Sequence, residues 1–264
     1  MLATLFINLE REVTFDSLFP TLERFSMEEI GADTKFKFCC DSSQPCFNQC
    51  CSEAIIPLTP FDVMRLCQNL CLASEDFLIN FTTSSGTESG GLALPMLRMI
   101  DSPDAPCPFV SPGGCSVYED RPGACRSYPV ARGINPQDMS DKYFLLKEAC
   151  CHGFENSQEY TPKTWLEKED CAKFDKYAAQ YARLVAKLNT HPHKERLNNL
   201  FFLCLFQLDR FRQFIDKMRL FSRVPASAEE KIKIMENSPE GNEACLDFAF
   251  RWLNQALDSP KAGN

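Results

Sequence analysis

Four thiols fall within twelve residues where the chain reads CDSSQPCFNQCC, from Cys40 to Cys51. Thiols this dense are scattered small hydrophobes, half of a disulfide framework, or the ligands of a metal centre. The whole chain has 15 cysteines in 264 residues, an odd count. About 6% is below the roughly 8–10% of a small secreted disulfide scaffold. A chain of this length folds without covalent staples, and in a reducing compartment a dense cysteine cluster binds metal or does redox chemistry.

Outside the C-terminal helices the cysteines lie in turn-rich sequence. They are Cys40, Cys46, Cys50 and Cys51, then Cys107, Cys115 and Cys125, then Cys150 and Cys151. Turns let several side chains converge on one point while backbone N–H groups face the sulfurs. Cys46 and Cys50, four apart, share a face of any helical turn. Cys50 and Cys51 point about 100° apart in a helix and to opposite faces in a strand. Both reach one small ion only through a special turn, so a multi-metal cluster or two neighbouring sites suits them better. A tetrahedral zinc and a cubane 4Fe-4S cluster each take four thiolates. Both leave net negative charge that calls for donors and cations nearby. Arg121, Arg126 and Arg132 share the turn-rich segment of Cys125. Two readings of them stand: donors and cations for the sulfurs, with Arg126 donating to one, or surface ion-pair partners.

The elements that must position these groups follow from local pattern. Residues 1–34 are expected to be a short helical or irregular lead-in. KFKF at Lys35–Phe38 alternates as a short half-buried strand, which extended puts Phe36, Phe38 and Cys40 inward and Cys39 outward. Thr59 as N-cap, Pro60 at the first helical position and Asp62 in the first turn open a helix. Leu66, Leu70, Phe77 and Phe81 extend its apolar side. TTSSGTESGG at 82–91 is a polar loop and LPMLRMI a strand. CPFV and CSVY around SPGG form a small hairpin, and RPGACRSYP a proline-bounded turn or single helical turn. After Thr161–Pro162 the texture is helical. One helix carries Tyr177, Tyr181, Leu184 and Leu188, and a long one over 198–221 carries Phe201, Leu205, Leu208 and Phe211. NEACLDFAFRWLNQAL forms the last. By context, Cys67, Cys71, Cys204 and Cys245 are small core hydrophobes on helices, Cys39 a bystander, and Cys171 a residue with no partner nearby. His152, beside Cys151, and the His191–His193 pair carry only a weak metal signal.

Three motifs in order, FCCDSSQPCFNQCC, LTPFDVMRL and CPFVSPGGCSVYEDRPGACRSYP, resemble the YkgJ-type cysteine-cluster family. Its domain is described as zinc- or iron-chelating, and it includes the flagellin lysine N-methylases. The resemblance covers about residues 35–155. It implies metal ligation by Cys40, Cys46, Cys50, Cys51, Cys107, Cys115, Cys125 and Cys151. Cys39, Cys67, Cys71 and Cys150 fall where relatives carry other residues, while CCHG doubles the last cysteine and leaves Cys150 or Cys151 as that ligand. It also implies methyl transfer to protein lysines as an alternative function, with a protein substrate or partner. No Gly-rich cofactor loop between strand and helix supports that activity, and the radical-type C-x3-C-x2-C spacing is absent.

The net charge of −8 and pI near 5.1 argue against a nucleic-acid partner. No apolar run reaches the roughly 18 residues of a membrane span, and the N-terminus lacks signal-peptide features, so the chain is expected to be cytoplasmic. The expected fold is mainly α with a small β-hairpin element: a cysteine-ligated metal centre in a turn-rich N-terminal half and a helical C-terminal half. The expected organisation is a lead-in (1–34), a cysteine-cluster metal-binding domain (35–160) and a C-terminal helical region packing on it (161–264). The expected cofactor is an iron–sulfur cluster, zinc, or both, with Arg121 and Arg126 lying against it.

Overall fold

The structure, a computed structural model, describes residues 25–85, 94–134 and 140–258. The chain runs β1 (Phe25–Ile30), β2 (Phe36–Lys37), α1 (Pro60–Leu70), α2 (Ser74–Phe81), β3 (Thr82–Ser85) and β4 (Leu94–Leu97). Next come β5 (Val110–Ser111), β6 (Gly114–Cys115), α3 (Gly123–Ser127), β7 (Val130–Ile134), β8 (Asp141–Glu148) and β9 (Glu159–Tyr160). Six helices follow: α4 (Pro162–Lys168), α5 (Ala172–Thr190), α6 (Lys194–Phe206), α7 (Leu208–Lys217), α8 (Ala228–Met235) and α9 (Pro239–Asp258). Among the described residues helix predominates and the sheets are few and small, as the mainly α expectation has it. No helix among the described residues is long and apolar enough to cross a membrane.

The chain divides into two units, one of residues 1–57 and 97–175 and the other of residues 58–96 and 176–264. In the first, β1, β8 and β7 form an antiparallel sheet in that order, with Met27 opposite Leu146 and Val130 opposite Leu145. β2 pairs with β9 through Phe36 and Tyr160. Phe36 and Phe38 are both buried, as the alternation in KFKF predicts. Phe38 is fully enclosed, edge-on to Tyr128, Phe154 and Trp165 at centroid distances of 5.7, 5.0 and 5.3 Å. The Trp165 indole donates to Ser127 O at 2.8 Å. α4 starts with a capping box of Thr161 and Thr164, so the ring cluster is clamped from a defined helix end.

The second unit is helical. α1 opens on the expected cap: Asp62 N–H donates to Thr59 Oγ1 at 3.3 Å and Thr59 N–H to Asp62 Oδ2 at 2.7 Å. Phe61 stacks on Tyr177 at 4.5 Å. Phe201, Leu205, Leu208 and Phe211 are all buried, so this stripe is core. Arg212, also buried, is satisfied by Ile234 O, Glu236 O and Asn242 Oδ1 at 2.8, 2.7 and 2.6 Å.

Four local expectations are corrected. Residues 1–24 of the lead-in lie outside the described residues, and Phe25–Ile30 form a strand because β8 supplies its hydrogen-bond partners. The helix begun at Pro60 does not run on to Phe81. Cys71 adopts a left-handed conformation, φ 53°, and Cys71 and Leu72 N–H groups cap Gln68 and Cys67 carbonyls, a Schellman ending without glycine. The long helix over 198–221 is two, broken where Gln207 leaves the helical region at φ −129°, ψ 65°. Thr82–Ser85 of the polar loop form a strand paired with β4; residues 86–91 of it lie outside the described residues.

Candidate metal centre

β2 lasts two residues, but the chain stays extended beyond it. Phe38 N–H donates to Gln158 O and Cys39 N–H to Gly153 O, both at 2.9 Å. This brings Cys40 to the turn that carries Cys151. At Asp41 the chain reverses in an Asx turn, the carboxylate accepting from Ser43 N–H at 2.8 Å. Cys40 is therefore exposed and Cys39 half-buried, the reverse of the expected order, because the strand ends before its alternation reaches them. The Cys40 sulfur is nevertheless desolvated and lies near the thiols of Cys50, Cys151 and Cys46, which push its pKa up to about 12.

The doublet at Cys50–Cys51 has the special turn it requires. Asn48 adopts the left-handed conformation, φ 69° and ψ −7°, and Gln49–Cys51 then form a 3-10 turn. Asn tolerates that conformation better than most residues. The two sulfurs come within hydrogen-bonding reach, and that contact, together with burial, drives the Cys50 thiol far above its ordinary pKa.

The second cysteine stretch is tied directly to the first. Cys107 N–H donates to Cys51 O at 2.7 Å and Glu53 N–H to Ala105 O at 2.8 Å, and the Asn48 side chain donates to Ser111 O at 2.9 Å. The β5–β6 hairpin pairs Val110 with Cys115. Its Gly114 sits at φ 114°, and a Cβ there would approach Phe47 Cζ to 3.2 Å, so the hairpin tip closes on Phe47 only with glycine.

Backbone N–H groups converge on the sulfurs. His152 N–H donates to Cys46 Sγ at 3.2 Å. The N–H groups of Phe109 and Val110 face the Cys107 sulfur, that of Val117 faces Cys115, and that of Gly153 faces Cys151. Burial is the larger effect and raises all three thiols above their ordinary range; the amides, and for Cys115 the charge of Arg121, pull the other way. Burial thus works against ionisation of these thiols, and a bound cation is what reverses the balance. Among the described residues no three His, Cys, Asp or Glu side chains already stand at metal-site spacing. As a donor set, the residues fit zinc or iron.

Seven of the eight expected ligands are linked by these contacts. Cys125 comes from α3 and is half-buried. Of the final doublet, Cys151 faces Cys46 while the Cys150 sulfur faces Glu148 Oε2 at 3.8 Å. Arg121 and Arg126 are both buried. Arg121 donates to Tyr118 O and Glu169 Oε2, each at 2.7 Å; Arg126 donates to Glu169 O at 2.9 Å and to Glu119 O. Arg121 acts on the cysteines through its charge at Cys115. Arg132 forms ion pairs with Asp141 and Asp175.

The remaining thiols separate by environment. Cys204 and Cys245 are fully buried in the helical unit, as expected. Cys67 is half-buried and Cys71 exposed, a correction to the core expectation that follows from the helix ending at Cys71; both line a cavity of about 510 Å³. Cys171 does have neighbours: burial, then Asp175, raise its pKa to about 12, with Arg126 opposing. His152 contributes its backbone N–H, while its ring is bonded to Glu155 Oε1 at 2.8 Å. Sequence reasoning missed Tyr128, whose hydroxyl faces Cys151; the only signal was its place in RSYP, which reads as a turn.

Residues 39–152 match the CxxCxxCC family model, described as "Putative zinc- or iron-chelating domain". No curated protein and no solved structure matches the chain. The matched segment spans 114 residues (152 − 39 + 1) and contains all eight expected ligands. Residues 39–152 are thus similar to the CxxCxxCC family, the one that the cysteine motifs of the sequence resemble.

Proposed function

We propose that the first unit binds a thiolate-ligated iron–sulfur cluster through Cys40, Cys46, Cys50, Cys51, Cys107, Cys115, Cys125 and Cys151, and acts as a metal-cluster protein. The observation that carries this is the set of backbone N–H groups aimed at sulfurs of Cys46, Cys107, Cys115 and Cys151. A core that used cysteine only as a small hydrophobe has no need of such donors. One zinc and one cubane each take four thiolates, so eight thiols suit two sites or a larger cluster. Iron–sulfur is favoured because a cluster of several irons lets the adjacent, contacting thiols of Cys50 and Cys51 bind different metal atoms. Arg121, charged and near Cys115, offsets the negative charge of the bound centre. Such a cluster supplies one-electron chemistry when bound; the chain's residues hold it, shield it and set its electrostatics.

The test is anaerobic purification followed by iron, zinc and acid-labile sulfide quantitation with a visible spectrum. A brown protein with iron and sulfide, bleaching on reduction or in air, is the expected result. A colourless protein with stoichiometric zinc overturns the iron assignment. Protein that takes up neither metal, with its thiols reduced, overturns the metal centre.

A further inference from the structure

Tyr128 is buried, and its hydroxyl oxygen, wholly enclosed, has no hydrogen-bond partner at full geometry. Burying a hydroxyl unsatisfied costs about 1–3 kcal/mol, and such groups in a native fold call for a reason. The ring has little freedom to turn away. Phe38 packs edge-on against it at 5.7 Å, Ser127 O is held by Trp165, and Pro129 O accepts from Leu146 N–H at 2.9 Å. In this fixed position Tyr128 belongs to the buried cluster against which Cys151 packs, with the hydroxyl on the side of the Cys151 sulfur. A neutral thiol is a weak acceptor; a thiolate bound to a metal is a strong one.

We propose that Tyr128 is a positioning residue of the metal centre, its O–H donating to the Cys151 sulfur once that sulfur is a thiolate ligand. This rests on the metal-centre reading, with Cys151 as a ligand. The hydroxyl is the side-chain counterpart of the amides that face the other sulfurs, and the metal-bound state is the one that satisfies it. The enclosed hydroxyl is therefore a donor whose partner is completed by ligation. Outer donors of this kind fix ligand orientation and are worth about 10–100-fold in metal affinity.

The test compares wild type with Tyr128→Phe, using Co²⁺ and Zn²⁺ titrations against a competing chelator and thermal melts of the metal-free protein. Tyr128→Phe keeps the ring and removes the donor. The expected result has two opposite signs. Metal-free Tyr128→Phe melts at or above the wild-type temperature, since an unsatisfied hydroxyl is gone. Its metal affinity falls about 10–100-fold, with a shifted sulfur-to-cobalt charge-transfer band. In a Cys151→Ser background the same substitution no longer changes affinity. A purely structural tyrosine lowers the metal-free melting temperature and leaves the band in place, and that outcome overturns the proposal. Equal affinity and an identical band in the two proteins also overturn it while leaving the centre intact. If wild type binds no metal at all, the centre itself falls, and the role of Tyr128 with it.

Discussion

Gly153→Ala tests whether the stretch bearing Cys40 and the turn bearing Cys151 are held together as tightly as described. A Cβ at this position would stand 2.5 Å from Phe38 Cε2, 3.0 Å from Phe38 Cζ and 3.0 Å from Cys39 O. Neither neighbour can yield cheaply. Phe38 is fully buried and bounded by Tyr128, Phe154 and Trp165. Cys39 O is main chain, on the residue whose own N–H donates to Gly153 O at 2.9 Å. The cost is steric rather than conformational. Overpacking of this kind is worth about 1–3 kcal/mol, and weakening the Cys39–Gly153 hydrogen bond adds about 1 kcal/mol. At about 2–4 °C per kcal/mol for a chain of this size, the melting temperature without added metal falls by about 4–16 °C. The same displacement shifts the Gly153 N–H from Cys151 and the His152 N–H from Cys46, so metal affinity falls as well. The assay is thermal unfolding by circular dichroism with chelator competition in parallel. Gly113→Ala is the control, because its Cβ meets nothing closer than Ser111 Oγ at 3.9 Å. If Gly153→Ala melts with wild type and Gly113→Ala, and binds metal equally, the junction is looser than described and the account of how Cys40 meets Cys151 is wrong.

Further outcomes follow from burial and charge. Glu169→Ala leaves Arg121 charged at 10% side-chain exposure without its carboxylate, a loss of about 3 kcal/mol. Lys35→Ala, which breaks the exposed pair with Glu159, changes nothing measurable; urea unfolding midpoints compare them. In the helical unit, burial raises the Cys245 thiol from 9.0 to about 12, above its unfolded value. Its contribution to stability is thus complete below about pH 9 and is lost as pH rises toward 12. Native alkylation at pH 8 with mass-spectrometric mapping should modify exposed Cys71 and spare Cys204 and Cys245; labelling of Cys245 in folded protein contradicts its burial.

What the sequence makes legible is what short range determines. Thr59–Pro60 and Thr161–Pro162 are helix starts whose caps lie three residues away, and KFKF carries its own alternation. The cysteines stand out because turn context is itself local. Other features depend on groups far along the chain. β1 reads FSMEEI, with two adjacent glutamates, and is a strand because β8, more than a hundred residues on, offers its edge. The end of α1 at Cys71 has no glycine to announce it. Tyr128 belongs to a proline-bounded turn by sequence, and its burial beneath Phe38 and beside Cys151 comes from pairings at Gly153 and Leu146.

The adjacent thiols Cys50 and Cys51 show why the local rule and the site are compatible. Neighbouring side chains diverge in regular structure, and a chain that kept to helix or strand here would direct one sulfur away. Asn48 stands at positive φ immediately before the tight turn Gln49–Cys51. Its side chain at the same time bonds Ser111 O, and Cys51 O accepts from Cys107 N–H. One turn therefore aligns the doublet and docks the hairpin that brings Cys107 and Cys115. Asn48 sets both the local conformation and the long-range pairing. Asn48→Gly separates them: glycine keeps the left-handed turn but drops the amide to Ser111 O. If the hairpin contact is what gathers the sulfurs, this variant loses metal affinity while its far-ultraviolet spectrum stays that of wild type. Retained affinity would show that the turn alone gathers them.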